Sequence, residues 1–218
     1  VCIVGSGPAG TTLALELNRK GKKVCIVEAG DIGALGIASA MKEGNSNSGL
    51  WYNVPGSRLL KLGGASGHWA GYCANLDPED FVGNDIMGAE WPIKYKDLEP
   101  FNKKASEILE LGADPFPKAK KNELIPFADT FKEKMWRYST PVRFGDKFKS
   151  TFEKASLPIF LNAIARKVHF SSAKTNRLES IEVATGPNSS MKIKADKFAL
   201  CLGGIETARF LLNNEEAL

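Results

Sequence analysis

The chain has 218 residues, 43% of them hydrophobic and 25% charged, with a formal net charge of +4. This is an ordinary globular composition, sufficient for one large domain or one domain with an insertion. The 29 Lys and Arg are dispersed, and the small cluster Lys118, Lys120 and Lys121 reads as a solvated face, which argues against a nucleic-acid partner. No apolar run approaches the ~20 residues that a membrane span requires.

Taken in chain order, Val1 to Val4 reads as a buried strand, Pro8 to Lys20 as a helix and Lys23 to Val27 as a second buried strand ending at Glu28. Strand, glycine turn, helix and strand in this order form a βαβ unit and imply a parallel sheet. Ala29 to Leu62 is irregular and rich in Gly, Ser and Asn, and a stretch of that length is usually functional. From Asp97, expected as an N-cap, Leu98, Phe101, Ala105, Ile108 and Leu109 recur at helical spacing up to Gly112. Short helices are predicted over Phe127 to Met135 and Gly145 to Ala155. Strands return over Pro158 to Asn162 and Ala165 to Phe170. Leu178 to Ala184 and Met191 to Lys194 form a predicted hairpin about the turn Gly186 to Ser190. Lys197 to Leu202 is a last buried strand, followed by Gly203-Gly204 and a helix from Ile205 to Asn213.

The expected fold class is α/β: a Rossmann-like dinucleotide-binding fold with a parallel sheet, a β-hairpin or meander and an inserted, partly helical segment. Residues 1–90 and 158–218 are expected to form the binding domain, and residues 91–157 an inserted lid or part of a substrate domain. The sequence starts inside a strand-like run and stops just after a helix, so a piece of a longer protein is expected. Cys2, Cys25 and Cys201 lie in apolar runs and, with Cys73, read as free thiols, with neither metal-ligand spacing nor a disulfide framework. That usage fits a reducing, cytoplasmic setting.

Gly5-Ser6-Gly7-Pro8-Ala9-Gly10 matches G-x-G-x-x-G between a strand and a helix. Gly5 allows the tight turn, Gly7 lets a pyrophosphate approach the backbone, and Gly10 lets the helix pack on the strand. The pyrophosphate then meets the free N–H groups and positive dipole end of the helix. Glu28, at the end of the second strand, stands where a carboxylate accepts hydrogen bonds from ribose hydroxyls. The motif by itself does not separate NAD from FAD.

The opening segment through Val24-Cys25-Ile26-Val27-Glu28-Ala29-Gly30 resembles that of FAD-binding flavoenzymes. Arg58 with Leu62-Gly63-Gly64-Ala65-Ser66-Gly67-His68-Trp69-Ala70-Gly71 resembles the R…GGxSxHWxG segment of glucose–methanol–choline (GMC) oxidoreductases, nearest the branch with pyranose oxidase and the gluconate and fructose dehydrogenases. Trp91-Pro92-Ile93 with Tyr95, Asp97-Leu98 and Pro100-Phe101, and the stretch from Ala195-Asp196 through Gly203-Gly204 to Arg209, resemble two further segments of that branch. The resemblance covers most of the chain except roughly Ala113 to Leu157. It implies FAD as cofactor and, as its contacts, Gly5, Ser6, Gly7, Pro8, Ala9, Gly10, Glu28, Ala29, Arg58, Gly63, Gly64, Ser66, His68, Trp69, Ala70, Gly71, Ala165 and Gly203. Ser66 would bond a phosphate. His68 matches a position that is covalently joined to the flavin in some relatives and not in others. Trp69 reads equally as a flavin neighbour or a core aromatic, and Trp51 as core. Ala165 stands where the family's "NAxV" pattern has Val and contacts adenine through its backbone.

The implied activity is oxidation of a CH–OH group in a sugar or other alcohol by hydride transfer to flavin N5, with an unspecified electron acceptor. The sequence contains two histidines, His68 and His169, and neither resembles the family's catalytic His, so no acid–base residue is assigned. That region is expected beyond Leu218. An NAD(P)H-linked flavoprotein reductase would need a second glycine fingerprint, which is lacking, and a non-catalytic FAD-binding fold is the remaining alternative.

Overall fold

The structure is a computed structural model that describes residues 1–33, 43–44, 53–82, 91–112, 134–171 and 177–217. The chain divides into two compact units, Val1–His68 with Arg143–Leu218, and Trp69–Val142. The boundaries read from the sequence, about 90 and 157, fall later than these.

The first unit opens with β1 (Cys2–Val4), α1 (Pro8–Arg19) and β2 (Cys25–Val27). The second contains β3 (Tyr72–Cys73), α2 (Tyr95–Leu98), α3 (Asn102–Ile108) and β4 (Arg137–Tyr138). The chain returns to the first unit with α4 (Phe144–Lys154), β5 (Ile159–Phe160), β6 (Ile164–Phe170), β7 (Leu178–Gly186), β8 (Ser189–Lys194), β9 (Phe198–Leu200) and α5 (Gly203–Leu212).

Sheet order is β5-β2-β1-β9, and all three pairings are parallel. The apolar runs explain this placement. Successive side chains of a strand point to opposite faces, and a strand buried on both faces reads as continuously apolar. Cys2 and Val4 face one core with Val27, Val168, Ile181, Val183 and Phe210. Ile3 and Ile26 face the other, with Ala14 of α1, Leu62, Phe152 of α4 and Leu157. Burying each large aliphatic side chain contributes about 1.5–3 kcal/mol. The antiparallel β6-β7-β8 sheet covers the first face. Its β7–β8 turn is tighter than expected: the strands run on to Gly186 and from Ser189, leaving Pro187 and Asn188 between them.

In the second unit β3 and β4 pair antiparallel, Tyr72 opposite Tyr138 and Cys73 opposite Arg137. The helix expected from Asp97 is divided. Asp97 lies within α2, and its carboxylate accepts the N–H of Lys94, the true N-cap, at 2.9 Å. A 3-10 turn over Glu99–Phe101 then separates α2 from α3. Pro100 is the physical reason, since it has no N–H to donate to an α-helical ladder. The segment Gly145–Ala155 is helical as expected, as α4. Of the remaining expectations, Trp51, the lysine cluster and most of Phe127–Met135 lie outside the described residues. Among the described residues no helix is long and apolar enough to cross a membrane, and no cluster of His, Cys, Asp and Glu could hold a metal.

Candidate functional site

The C-terminal ends of β1, β2 and β9 open on a cavity of about 1210 Å³ in the first unit. Such a crevice is where open α/β sheets bind ligands. Its wall includes Gly5, Ser6, Gly7, Pro8, Ala9, Glu28, Ala29, Arg58, Gly64, Ala165 and Gly203.

The three glycines of the turn do different work. Gly5 has φ +100°, and a Cβ there would stand 2.4 Å from the Cys201 carbonyl oxygen. Gly10 would place a Cβ 2.0 Å from the Gly5 oxygen, and it is buried outside the cavity wall. Gly7, at φ −62°, would place a Cβ with no protein atom within 4 Å, at a position that lines the cavity. Two of these glycines therefore close the β1–α1–β9 packing, and the third leaves the approach to α1 open. Gly203, at φ +78° in the first position of α5, is open in the same way. The N-termini of both α1 and α5 thus line one cavity, a setting that favours an anionic group.

Charge agrees with this. Four cationic residues, Arg58, Arg166, Lys167 and Arg209, line the wall with two carboxylates, Glu28 and Glu206. Arg58, only 8% exposed, pairs with Glu206, which also pairs with Arg209. The surplus of positive charge suits a pyrophosphate. Glu206 and Arg209 carried no role in the sequence reading. Their spacing of three on a helix, with opposite charges, was the available signal.

Glu28 is 5% exposed, and burial pushes its carboxyl above the ordinary range, against the pull of the Ser6 hydroxyl and of the Gly30 and Ser6 amides. Oε2 accepts the Ser6 N–H at 3.0 Å and the Ser6 hydroxyl at 2.6 Å, and Oε1 accepts the Gly30 N–H at 2.8 Å. The carboxylate therefore faces the protein as well as the cavity. Asn162 and Ala163 are pinned beside it, their amides donating to the Gly30 and Glu28 carbonyls at 2.8 and 2.9 Å. That docking leads β6, and Ala165 with it, along the cavity wall.

Several sequence-predicted residues stand elsewhere. Gly63 is buried at φ +87°, where a Cβ would meet the Gly145 N at 2.2 Å. Ser66 is 3% exposed; its hydroxyl donates to the Gly63 carbonyl at 2.7 Å and accepts the Phe144 N–H at 3.0 Å. His68 is exposed and outside the cavity wall. Trp69, Ala70 and Gly71 belong to the second unit. There the Trp69 indole donates to the Val142 carbonyl at 3.0 Å, and Gly71, at φ +85°, would place a Cβ 2.6 Å from the Ser139 oxygen. His169 lies on β6, with Nε2 3.4 Å from Glu182 Oε2.

The sequence model of a family described as DAO, FAD dependent oxidoreductase, matches residues 1–140. The chain belongs to this family of FAD-dependent oxidoreductases. The glycine turn, the positive cavity wall and the two helix N-termini fit its cofactor, FAD. Among solved structures, this FAD-dependent oxidoreductase chain is similar to pyridoxine 4-oxidase from Mesorbium loti, at 20% identity and TM-score 0.61, over 98% of this chain and 51% of that one. A geranylgeranyl bacteriochlorophyll reductase-like protein from Thermoplasma acidophilum matches at 13% identity and TM-score 0.45, over 96% and 40%. The first likeness shows the α/β fold, and the chain spans about half the length of that structure. Comparison with curated proteins gives no match.

Proposed function

We propose that the protein oxidises a CH–OH group of a sugar or other alcohol, with FAD held in the cavity of the first unit. The observation that carries the binding mode is Gly7, the one glycine of the turn whose missing side chain leaves open cavity rather than packed protein. In this reading the α1 N-terminus, followed by Pro8 and Ala9, receives the pyrophosphate. Gly203 and the α5 N-terminus extend that surface. Glu28, at the end of β2, accepts hydrogen bonds from the ribose. Ala163 and Ala165 offer a flat backbone wall for the adenine. Arg58, steadied by Glu206, balances the negative charge. Bound FAD supplies the hydride acceptor, flavin N5. The restriction to CH–OH donors rests on the resemblance of Gly63 to Gly71 and of Trp91 to Phe101 to the glucose–methanol–choline enzymes. No base is assigned: His169 stands beside Glu182 and His68 is exposed.

Anaerobic addition of sugars and primary alcohols to the full-length holoprotein tests the reaction. Bleaching of the flavin by a hydroxyl-bearing compound is expected, and bleaching by NADH or NADPH alone would contradict it. The flavin is expected to leave the protein on acid precipitation, because His68 stands outside the cavity wall. Colour retained in the pellet, on a peptide containing His68, would establish a covalent bond there.

A further inference from the structure

The Ser6 side chain has no exposed surface. Its hydroxyl donates to Glu28 Oε2 at 2.6 Å, a short, charge-assisted bond, and accepts the Gly63 N–H at 3.1 Å. It is thus committed within the protein on both its donor and its acceptor side. We propose that Ser6 is a positioning residue, one hydroxyl that locks the Glu28 carboxylate and the Gly63–Gly64 turn to each other across the dinucleotide site. The proposal rests on the FAD reading above for its functional consequence.

The geometry gives the lock its effect. Gly64 passes so close to Gly7 that a Cβ on Gly64 would stand 3.0 Å from the Gly7 Cα. Gly64, Gly7 and Glu28 all line the cavity. Holding the Gly63 amide therefore sets how near one wall approaches the other. The same tie continues outward: the Gly63 carbonyl accepts the Ser66 hydroxyl, which in turn accepts the Phe144 N–H at the start of α4. A hydroxyl that donates to a carboxylate becomes a better acceptor, so the bonds strengthen in series. Alanine at position 6 would leave the Gly63 N–H unpaired in a buried place, and buried unpaired donors are costly.

Amide-resolved hydrogen exchange on the apoprotein, with FAD titration alongside, tests this. In Ser6→Ala the Gly63 amide is expected to exchange at least about tenfold faster, the scale of one lost buried hydrogen bond. The Gly64 amide, bonded to the Lys61 carbonyl at 2.8 Å, should hold its rate. FAD affinity should fall about tenfold, and Ser6→Thr should restore Gly63 protection. If Ser6→Ala does not fold, Glu28→Gln provides the same reading, since an uncharged partner weakens the hydroxyl's bond and with it Gly63 protection. Unchanged Gly63 exchange in both variants would overturn the proposal. So would additive effects of Ser6→Ala and Glu28→Gln on FAD affinity. Because the exchange is read without FAD, its failure is distinct from a failure of the protein to bind flavin.

Discussion

At Gly5 an added methyl group meets the Cys201 carbonyl, whereas at Gly7 it meets open cavity. The two positions should therefore respond oppositely. Gly5→Ala, strained at φ +100° and without room, is expected to cost about 1–3 kcal/mol or more in urea unfolding. Gly7→Ala adopts φ −62° freely and should leave stability within about 1 kcal/mol of the original. Equal losses at both would show that Gly7 is also a packing residue. Glu28 gives a second test at this scale. Its carboxyl is raised by burial, so the folded state keeps its proton to higher pH than the unfolded state. The stability linked to that proton is fully present below the unfolded pKa of about 4.3 and is lost as pH rises through the folded value. Apoprotein unfolding followed upward from about pH 4 should show this fall. Glu28→Gln should lack it, and identical slopes would refute the assignment. Gly5, Gly7, Gly10 and Glu28 were legible because each is placed by backbone sterics or strand ends. The inward-facing hydroxyls of Ser6 and Ser66 were not, because a serine's partner is chosen by tertiary geometry that spacing does not encode.

Among the elements, β1 and β2 were legible as apolar runs, and their register has a chemical consequence. Cys2 and Cys25 are direct partners across the parallel ladder. The hydrogen bond from the Cys2 thiol draws the Cys25 thiol below the ordinary thiol range, while Cys2, Cys73 and Cys201 are pushed up, the last two by burial. Iodoacetamide near neutral pH is therefore expected to label Cys25 first, as read by peptide mass mapping. Cys201 or Cys73 reacting ahead of it would contradict the pairing. The two-residue strands β3 and β4 escaped the sequence reading, since Tyr72-Cys73 and Arg137-Tyr138 are too short to show alternation and lie far apart in the chain. Pro100 was visible throughout, yet apolar periodicity across it outweighed its missing N–H in the reading of one helix.

For the whole molecule, the α/β fold followed from the order of strands and helices, and membership of the FAD-dependent oxidoreductases agrees with it. The cavity wall is assembled from segments far apart in sequence, including Gly5 to Ala9, Arg58 to Leu60, Ala163 to Lys167 and Cys201 to Glu206. Only the first of these is a local motif that names a ligand by itself. The others were placed by resemblance, and the pairing of Arg58 with Glu206 emerged only from the fold. The central claim is that FAD occupies this cavity across Gly7. Titration of full-length apoprotein with FAD, followed by quenching of flavin fluorescence, tests it most directly when Gly7→Val is compared with the unaltered protein. Saturable one-to-one binding that the folded variant loses by a factor of about ten or more is the expected result. A folded Gly7→Val protein that binds FAD as tightly as the original would contradict the account.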